Sequence, residues 1–247
     1  MKFLIGDIGN TSTKICVLNN DLKILRSYNF ETIKMLKGNL LKTIISKKIN
    51  KGLNPIFLFS SVVPKVFINI KKSLKFSKFK VLELKNLNLN KIIKINVKNK
   101  KQLGSDRIAN AIGAKKFKNC LVLDFGTATT FDVIIKNNYL GGVIAPGVSL
   151  SLNTLASKAS LIPSLKLKRV KNILGKNTIS AVRSGFYWGY TGLVENIIDK
   201  ISKQTNKKFK LILTGGYSHL FINSIKQKAY LDKNITIKGL LKITKLL

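Results

Sequence analysis

One pattern occurs twice in this chain, and it narrows the fold more than any other feature. Leu121-Val122-Leu123-Asp124-Phe125-Gly126-Thr127-Ala128-Thr129-Thr130-Phe131-Asp132-Val133-Ile134-Ile135 is an apolar run, a polar Asp-x-Gly-Thr-x-Thr-Thr turn and a second apolar run. Phe3 to Leu18 has the same order, with Asp7-Ile8-Gly9-Asn10-Thr11-Ser12-Thr13 at its bend. Two apolar runs joined by a tight polar turn read as a β-hairpin. By offset from the carboxylate, Asp7 aligns with Asp124, Gly9 with Gly126 and Thr13 with Thr130. A single copy has a plain alternative, because Asp and Gly are ordinary turn residues. Two copies, at the heads of two halves, point to a duplicated domain that closes two phosphate-binding hairpins around one nucleotide. A glycine at the bend lets the backbone approach a ligand. Turn N–H groups and the hydroxyls of Thr127, Thr129 and Thr130 are suitable donors to a phosphate. Asp124, where a strand ends, is placed to hold a cation beside it.

The 247 residues allow one large domain or two of roughly 120 residues, each able to bury a core. An apolar share of 45% argues against disorder. No run of ~18 uncharged apolar residues occurs, so no membrane span is expected. Met1-Lys2-Phe3-Leu4-Ile5 runs straight into the first hairpin and does not resemble a signal peptide, so a cytoplasmic protein is expected. The net charge of +35 has the sign of a nucleic-acid footprint. Its lysines, however, are dispersed among Ile, Leu and Asn through the whole chain. We read the excess as compositional and expect no nucleic-acid partner; the field would still draw anionic substrates. Cys16 and Cys120 lie in or beside expected strands and read as small buried apolar residues. The single histidine, His219, falls in a late loop, which leaves zinc, Ser-His-Asp and Cys-His chemistry without support. Any proton transfer falls to carboxylates.

The order of elements is that of an α/β protein. After the first hairpin come a strand over 23–30, a helix over Ile33–Ile49 with apolar residues at helical spacing, and a buried strand over Pro55–Pro64. A helix over Lys65–Leu74 and a strand over Lys80–Leu84 follow, then an irregular Lys/Asn-rich stretch over Leu87–Lys101. The second half repeats the plan, with a strand over Tyr139–Val148 and a helix over Ser149–Ala156. Beyond these come an extended piece over Ser164–Val170 and a long helix with the stripe Phe186, Tyr190, Leu193, Ile197 and Ile201. A strand over Lys210–Thr214 followed by a glycine pair, a short strand at Thr236–Ile237 and a last helix complete it. The joint between halves falls in Lys115–Asn119, giving domains of residues 1–118 and 119–247.

Between the hairpins lies Gly104-Ser105-Asp106-Arg107, opening a helix. Asp106 has two readings: an acidic residue at a helix start, or a carboxylate base that takes a hydroxyl proton during phosphoryl transfer. Arg107 beside it offers a fork that matches an anionic substrate.

Six pieces in order resemble type III pantothenate kinase, of the acetate kinase, sugar kinase and actin superfamily. They are Asp7-Ile8-Gly9-Asn10-Thr11, Gly104-Ser105-Asp106-Arg107, Asp124-Phe125-Gly126-Thr127-Ala128-Thr129-Thr130, Gly141-Gly142-Val143-Ile144-Ala145-Pro146-Gly147, Asn177-Thr178 and Leu213-Thr214-Gly215-Gly216. The first and third alone carry only the superfamily; the second and fourth make the match specific. The resemblance implies duplicated RNase H-like (actin-like ATPase) domains. Each would be a mixed central sheet flanked by helices, with a nucleotide cleft between the two. It implies ATP-dependent phosphorylation of pantothenate to 4′-phosphopantothenate, the first step towards coenzyme A. By that resemblance Asp7, Ile8, Gly9, Asn10, Thr11, Ser12, Thr13 and Lys14 wrap the ATP phosphates, and Thr127 touches the same ligand. Asp106 is the base; Gly104, Ser105, Asp106, Arg107 and Thr178 meet pantothenate. Asp124 binds a monovalent cation, potassium or ammonium, besides the Mg²⁺ that accompanies ATP. A homodimer is implied too. One position departs: the family often carries Tyr where Val97 stands, seven residues before Gly104, which bears on the substrate-side wall. Two alternatives are a non-catalytic, transcription-regulating member of the family and a superfamily kinase acting on another small hydroxy substrate.

Overall fold

The structure, a computed structural model, describes residues 2–36, 41 and 53–247, with residues 53–55 described by their backbone alone. The chain packs as two units. One holds residues 1–116 and 234–247; the other holds residues 117–233. The last segment, Asn234–Leu247, packs with the first unit.

In the first unit, β1 (Lys2–Ile8), β2 (Ser12–Leu18) and β3 (Ile24–Glu31) form an antiparallel meander. The strands β4 (Leu53–Ser61) and β5 (Lys80–Glu83) add in parallel on the other side of β1. The sheet order is β3-β2-β1-β4-β5. Helix α1 (Thr32–Leu36) begins the helix expected over Ile33–Ile49; apart from residue 41, the rest of that stretch lies outside the described residues. Helix α2 (Pro64–Ser73) starts on a proline, whose missing N–H costs nothing in a first turn. Its Val66, Phe67 and Ile70 pack with Leu4, Ile8, Ile15, Val17, Phe57 and Phe59 on one face of the sheet. Each such side chain taken fully from water contributes about 1.5–3 kcal/mol.

Side chains alternate across a strand, so Asp7, Lys14 and Ser60 point away from that core. Helix α3 (Ser105–Gly113) packs against β4, and helix α7 (Ile235–Thr244) against β1 and β4. The pair therefore covers the opposite face. They cross closely because each supplies a glycine. A Cβ on Gly113 would run into the Ile235 carbonyl, and one on Gly239 would run into the Ala109 carbonyl. Lys242 then donates to the carbonyls of Ile112 and Gly113 at 2.9 and 3.0 Å, capping the end of α3 from the neighbouring helix. Thr236–Ile237, expected as a strand, are the opening of α7. They read as a strand because two β-branched residues follow a turn; burial of Ile237 and Leu240 against α3 decides for the helix. The stretch 87–101 is largely irregular, with a two-residue strand β6 (Lys94–Ile95).

The second unit repeats the plan. Strands β7 (Asn119–Phe125), β8 (Ala128–Ile135) and β9 (Asn138–Pro146) are antiparallel; β10 (Lys210–Thr214) and β11 (Ala229–Leu231) add in parallel beside β7. Their order, β9-β8-β7-β10-β11, is that of the first sheet strand for strand. Helix α4 (Val148–Lys158), the long helix α5 (Thr178–Thr205) and the short α6 (Ser218–Phe221) accompany them. The core joins Leu121, Leu123, Phe125, Phe131 and Val133 of the sheet to Tyr187, Tyr190, Val194, Ile198 and Ile201 of α5. The buried stripe of α5 is thus offset from the expected one: Tyr190 and Ile201 lie in it, while Phe186, Leu193 and Ile197 sit half-buried at its flank. Apolar residues line more than one face of this helix, so spacing alone could not choose among them. Residues 164–170, expected as extended, carry no strand. Cys16 and Cys120 are buried, as expected, and are not joined in a disulfide. Among the described residues no helix is long and apolar enough to cross a membrane.

Candidate active site

Each unit brings an aspartate to the centre of its sheet, at the end of the first strand. Asp7 stands in register between Lys14 on β2 and Ser60 on β4. Asp124 stands between Thr130 on β8 and Thr214 on β10. The two hairpins differ by one residue at the bend. The last pairs are Ile8 with Thr13 and Phe125 with Thr129, so four residues turn in the first and three in the second. The partner of Asp7 that corresponds to Thr130 is therefore Lys14. Thr13, matched to Thr130 by offset, points to the opposite face.

That difference sorts the 7–14 stretch. Ile8 and Thr13 are buried, while Asn10, Thr11 and Ser12 are exposed at the bend. The Gly9 N–H donates to the Ser12 carbonyl at 3.0 Å and closes the turn. Thr13 and Thr32 share a hydroxyl–hydroxyl bond of 3.0 Å, and Thr32 donates on to the Gly9 carbonyl at 2.7 Å. The Thr32 N–H donates to the Thr11 carbonyl at 2.9 Å. Thr32, which sequence reasoning did not single out, is thus the brace that holds the exposed bend to the unit. Ser60 is fully buried, and its hydroxyl has no hydrogen-bond partner among the described residues. With Asp7 in register beside it, this is an oxygen-rich corner of the kind Mg²⁺ takes.

Asp106 opens α3 from the first turn, where a carboxylate is favoured by the helix dipole. Its Oδ1 accepts from the Arg107 N–H at 2.8 Å. Gly104 precedes it in extended conformation, and a Cβ there would collide with that same carboxylate oxygen. Burial raises the Asp106 carboxyl above the usual carboxylate range, against the opposing bond and charge of Arg107 and the charge of Lys85. A raised carboxyl is the property a base needs near neutrality. Ser105 is fully buried, and its hydroxyl donates to Glu83 Oε1 at 3.1 Å. That contact ties the start of α3 to β5 and shows Ser105 as an anchor; the sequence carried no signal for Glu83.

In the second unit, Gly215 has φ +85°, and a Cβ there would meet Asp124 Oδ1. Gly126 lies beside the same oxygen at ordinary contact distance. The carboxylate, Thr130 and Thr214 make an oxygen donor set that suits a hard cation. Among the described residues no cluster of three or more His, Cys, Asp or Glu forms a metal site. Thr127 is exposed at the bend, and Gly147 comes so near that a Cβ on it would run into the Thr127 carbonyl. The Pro146-Gly147 step thus buttresses the hairpin turn. Thr178 is the first residue of α5, whose cap Asn177 accepts from the Ser180 N–H at 2.8 Å and receives the Ser180 hydroxyl on its carbonyl in return. Thr178 lines an open hollow with Leu161, Pro163, Ile179 and Arg183.

Two sheets of one strand order, each with an aspartate at its hairpin, make the plan of the sugar-kinase and actin-like fold. A ROK family glucokinase from Streptomyces griseus, solved with glucose and AMPPNP, aligns over 100% of both chains at a TM-score of 0.58 and 10% identity. A Campylobacter jejuni structure assigned to the Baf family of transcriptional activators covers 99% of this chain and 98% of its own, at a TM-score of 0.66 and 21% identity. At these identities both speak for the fold alone. The sequence comparisons go further. A profile of type III pantothenate kinase matches residues 3–200. The type III pantothenate kinase of Pelagibacter ubique (strain HTCC1062) is 55% identical over 247 residues, 99% of each chain. The chain belongs to the type III pantothenate kinase family, and it is an enzyme.

Proposed function

We propose that this protein transfers the γ-phosphoryl group of ATP to the terminal hydroxyl of pantothenate, giving 4′-phosphopantothenate for coenzyme A synthesis. The observation that carries the reading is Asp106: a carboxylate with a raised pKa, at a helix start, in a chain 55% identical to a type III pantothenate kinase. Asp106 accepts the hydroxyl proton as the oxygen attacks phosphorus. Arg107 grips the pantothenate carboxylate, with Gly104, Ser105 and Thr178 completing that ligand's surroundings. The bend from Asp7 to Lys14 holds the phosphates through its N–H groups, its exposed hydroxyls and the Lys14 ammonium. Thr127 is assigned to the nucleotide as well. Bound Mg²⁺ would supply charge neutralisation on the phosphates, with Asp7 and Ser60 as the residues that would hold it. Catalysis then rests on positioning and on electrostatic stabilisation. The regulatory alternative is not favoured, because the family match and the close relative both name a kinase.

The test is product formation by mass spectrometry with purified protein, ATP, Mg²⁺ and pantothenate. A phosphopantothenate peak supports the reading. Its absence under every monovalent cation would move the substrate elsewhere, and Val97, in place of the usual tyrosine, would be the first residue to question.

Asp124 is proposed as the ligand of a potassium or ammonium ion, on the strength of its oxygen surroundings. Asp124→Asn should then flatten the activation of turnover by potassium, with the half-saturating concentration raised about tenfold or more, the factor for ~1.4 kcal/mol of lost charge interaction. An unchanged potassium curve would remove the assignment. A cytoplasmic homodimer completes the proposal. Support comes from α5, where Gly185, Gly189 and Gly192 follow helical spacing on an exposed face with half-buried Phe186, Leu193 and Ile197 alongside. Light scattering that returned the mass of one chain would argue against it.

A further inference from the structure

We propose that Asn234, at the start of the C-terminal helix, is a positioning residue for Lys14 and sets that ammonium for the nucleotide phosphates. The inference rests on the reading that Lys14 meets those phosphates. An asparagine at a helix start ordinarily turns its side chain onto the N–H groups of the first turn. Asn234 occupies that position for α7, and its carbonyl begins the helix by accepting from the Lys238 N–H at 2.8 Å. Its side chain makes no capping bond. The amide Oδ1 instead accepts from Lys14 Nζ at 2.5 Å.

The contact joins residues 220 apart in sequence. It depends on α7 lying over the face of the sheet that carries Asp7, Lys14 and Ser60. The glycine crossing with α3 holds α7 there. A lysine side chain has a flexible four-carbon stem and loses much rotamer freedom when it is held. Without a holder, that ordering would have to accompany phosphate binding; with Asn234 in place it is already done. The chemistry of the holder matters. A neutral amide oxygen orients the ammonium without cancelling its charge, whereas a carboxylate there would hold it and neutralise it. Asp7, in register beside Lys14 on β1, already places a carboxylate next to it in the sheet.

The experiment is a double-mutant cycle on the full-length protein, with ATP·Mg²⁺ affinity measured by calorimetry for wild type, Lys14→Met, Asn234→Ala and the double variant. Asn234→Ala is expected to weaken ATP binding about tenfold, the factor for one charge-assisted hydrogen bond. The KM for pantothenate should not follow, and the melting temperature should stay close to wild type because no capping bond is lost. In the Lys14→Met background the second substitution should add nothing. Asn234→Asp should weaken ATP binding as well, through neutralisation. Multiplying effects in the double variant would overturn the inference, and so would an Asn234→Ala protein that melts lower but binds ATP as before. If Lys14→Met leaves ATP binding unchanged, Lys14 is not a phosphate ligand and the inference falls with that assignment. If only Asn234→Ala is silent, the phosphate assignment stands and the positioning role alone fails.

Discussion

Asp106→Asn should lose turnover by at least ~100-fold, the contribution of a positioned general base, while binding ATP as before and melting at a higher temperature than wild type. The opposite signs have one origin. Burial disfavours the charged carboxylate, which raises its pKa in the folded protein. A carboxyl raised on folding binds its proton more tightly in the native state, so it favours folding at low pH. That contribution is lost as pH rises through the raised pKa. At neutral pH the native protein therefore carries an ionised group at some cost. Asparagine keeps an oxygen for the Arg107 N–H and removes the cost. The stability gain should shrink on acidification, as wild-type Asp106 takes up its proton. In wild type, kcat/KM should fall on the acid side with an apparent pKa above that of an ordinary aspartate. Near-normal turnover in the variant, or a stability difference of the opposite sign, would remove Asp106 from the mechanism as described.

Gly239→Val should be the most damaging single change to the fold outside the two cores. The helices α3 and α7 meet at Gly239 and Gly113, each against backbone of the other. A carbonyl and a helix backbone cannot yield as the tip of a side chain can, so the two helices must separate. Overpacking of this kind costs about 3 kcal/mol at the upper end of its usual range. For a chain of this length that is a fall of roughly 6–12 °C in melting temperature. The damage would not stop at stability, because α3 carries Asp106 and α7 carries Asn234. A thermal scan and a turnover assay should both register it, and a variant that melts within about 2 °C of wild type would show the crossing to be adaptable.

The parts of the site that could be read from the chain are those whose physics is local. An Asp-x-Gly bend between apolar runs declares itself, and so does an Asp-Arg pair at the head of an amphipathic helix. The burial of the two cysteines follows from their strand positions in the same way. What escaped depends on distance in sequence or on a count of one. Thr13 and Thr130 match by offset, yet the first bend has an extra residue, and a one-residue shift reverses the face of a side chain. Thr32 and Glu83 act through contacts 23 and 22 residues away, with nothing in their own surroundings to mark them. Asn234 lies in none of the motifs read from the chain, and only the packing of the last helix on the first unit gives it a role.

That packing also sets an order of events during synthesis. Residues 117–233 form a contiguous unit inserted between the two segments of its neighbour. At about 5–20 residues per second, the inserted stretch occupies the ribosome for roughly 6–23 s before Asn234 appears. Throughout that interval the sheet face bearing Asp7 and Lys14 lacks the helix that covers it. The nascent chain thus exposes an apolar surface next to the Asp7–Lys14 bend until α7 emerges. A ribosome stalled just short of Asn234 would present a chain whose younger unit is folded and whose older one is still open.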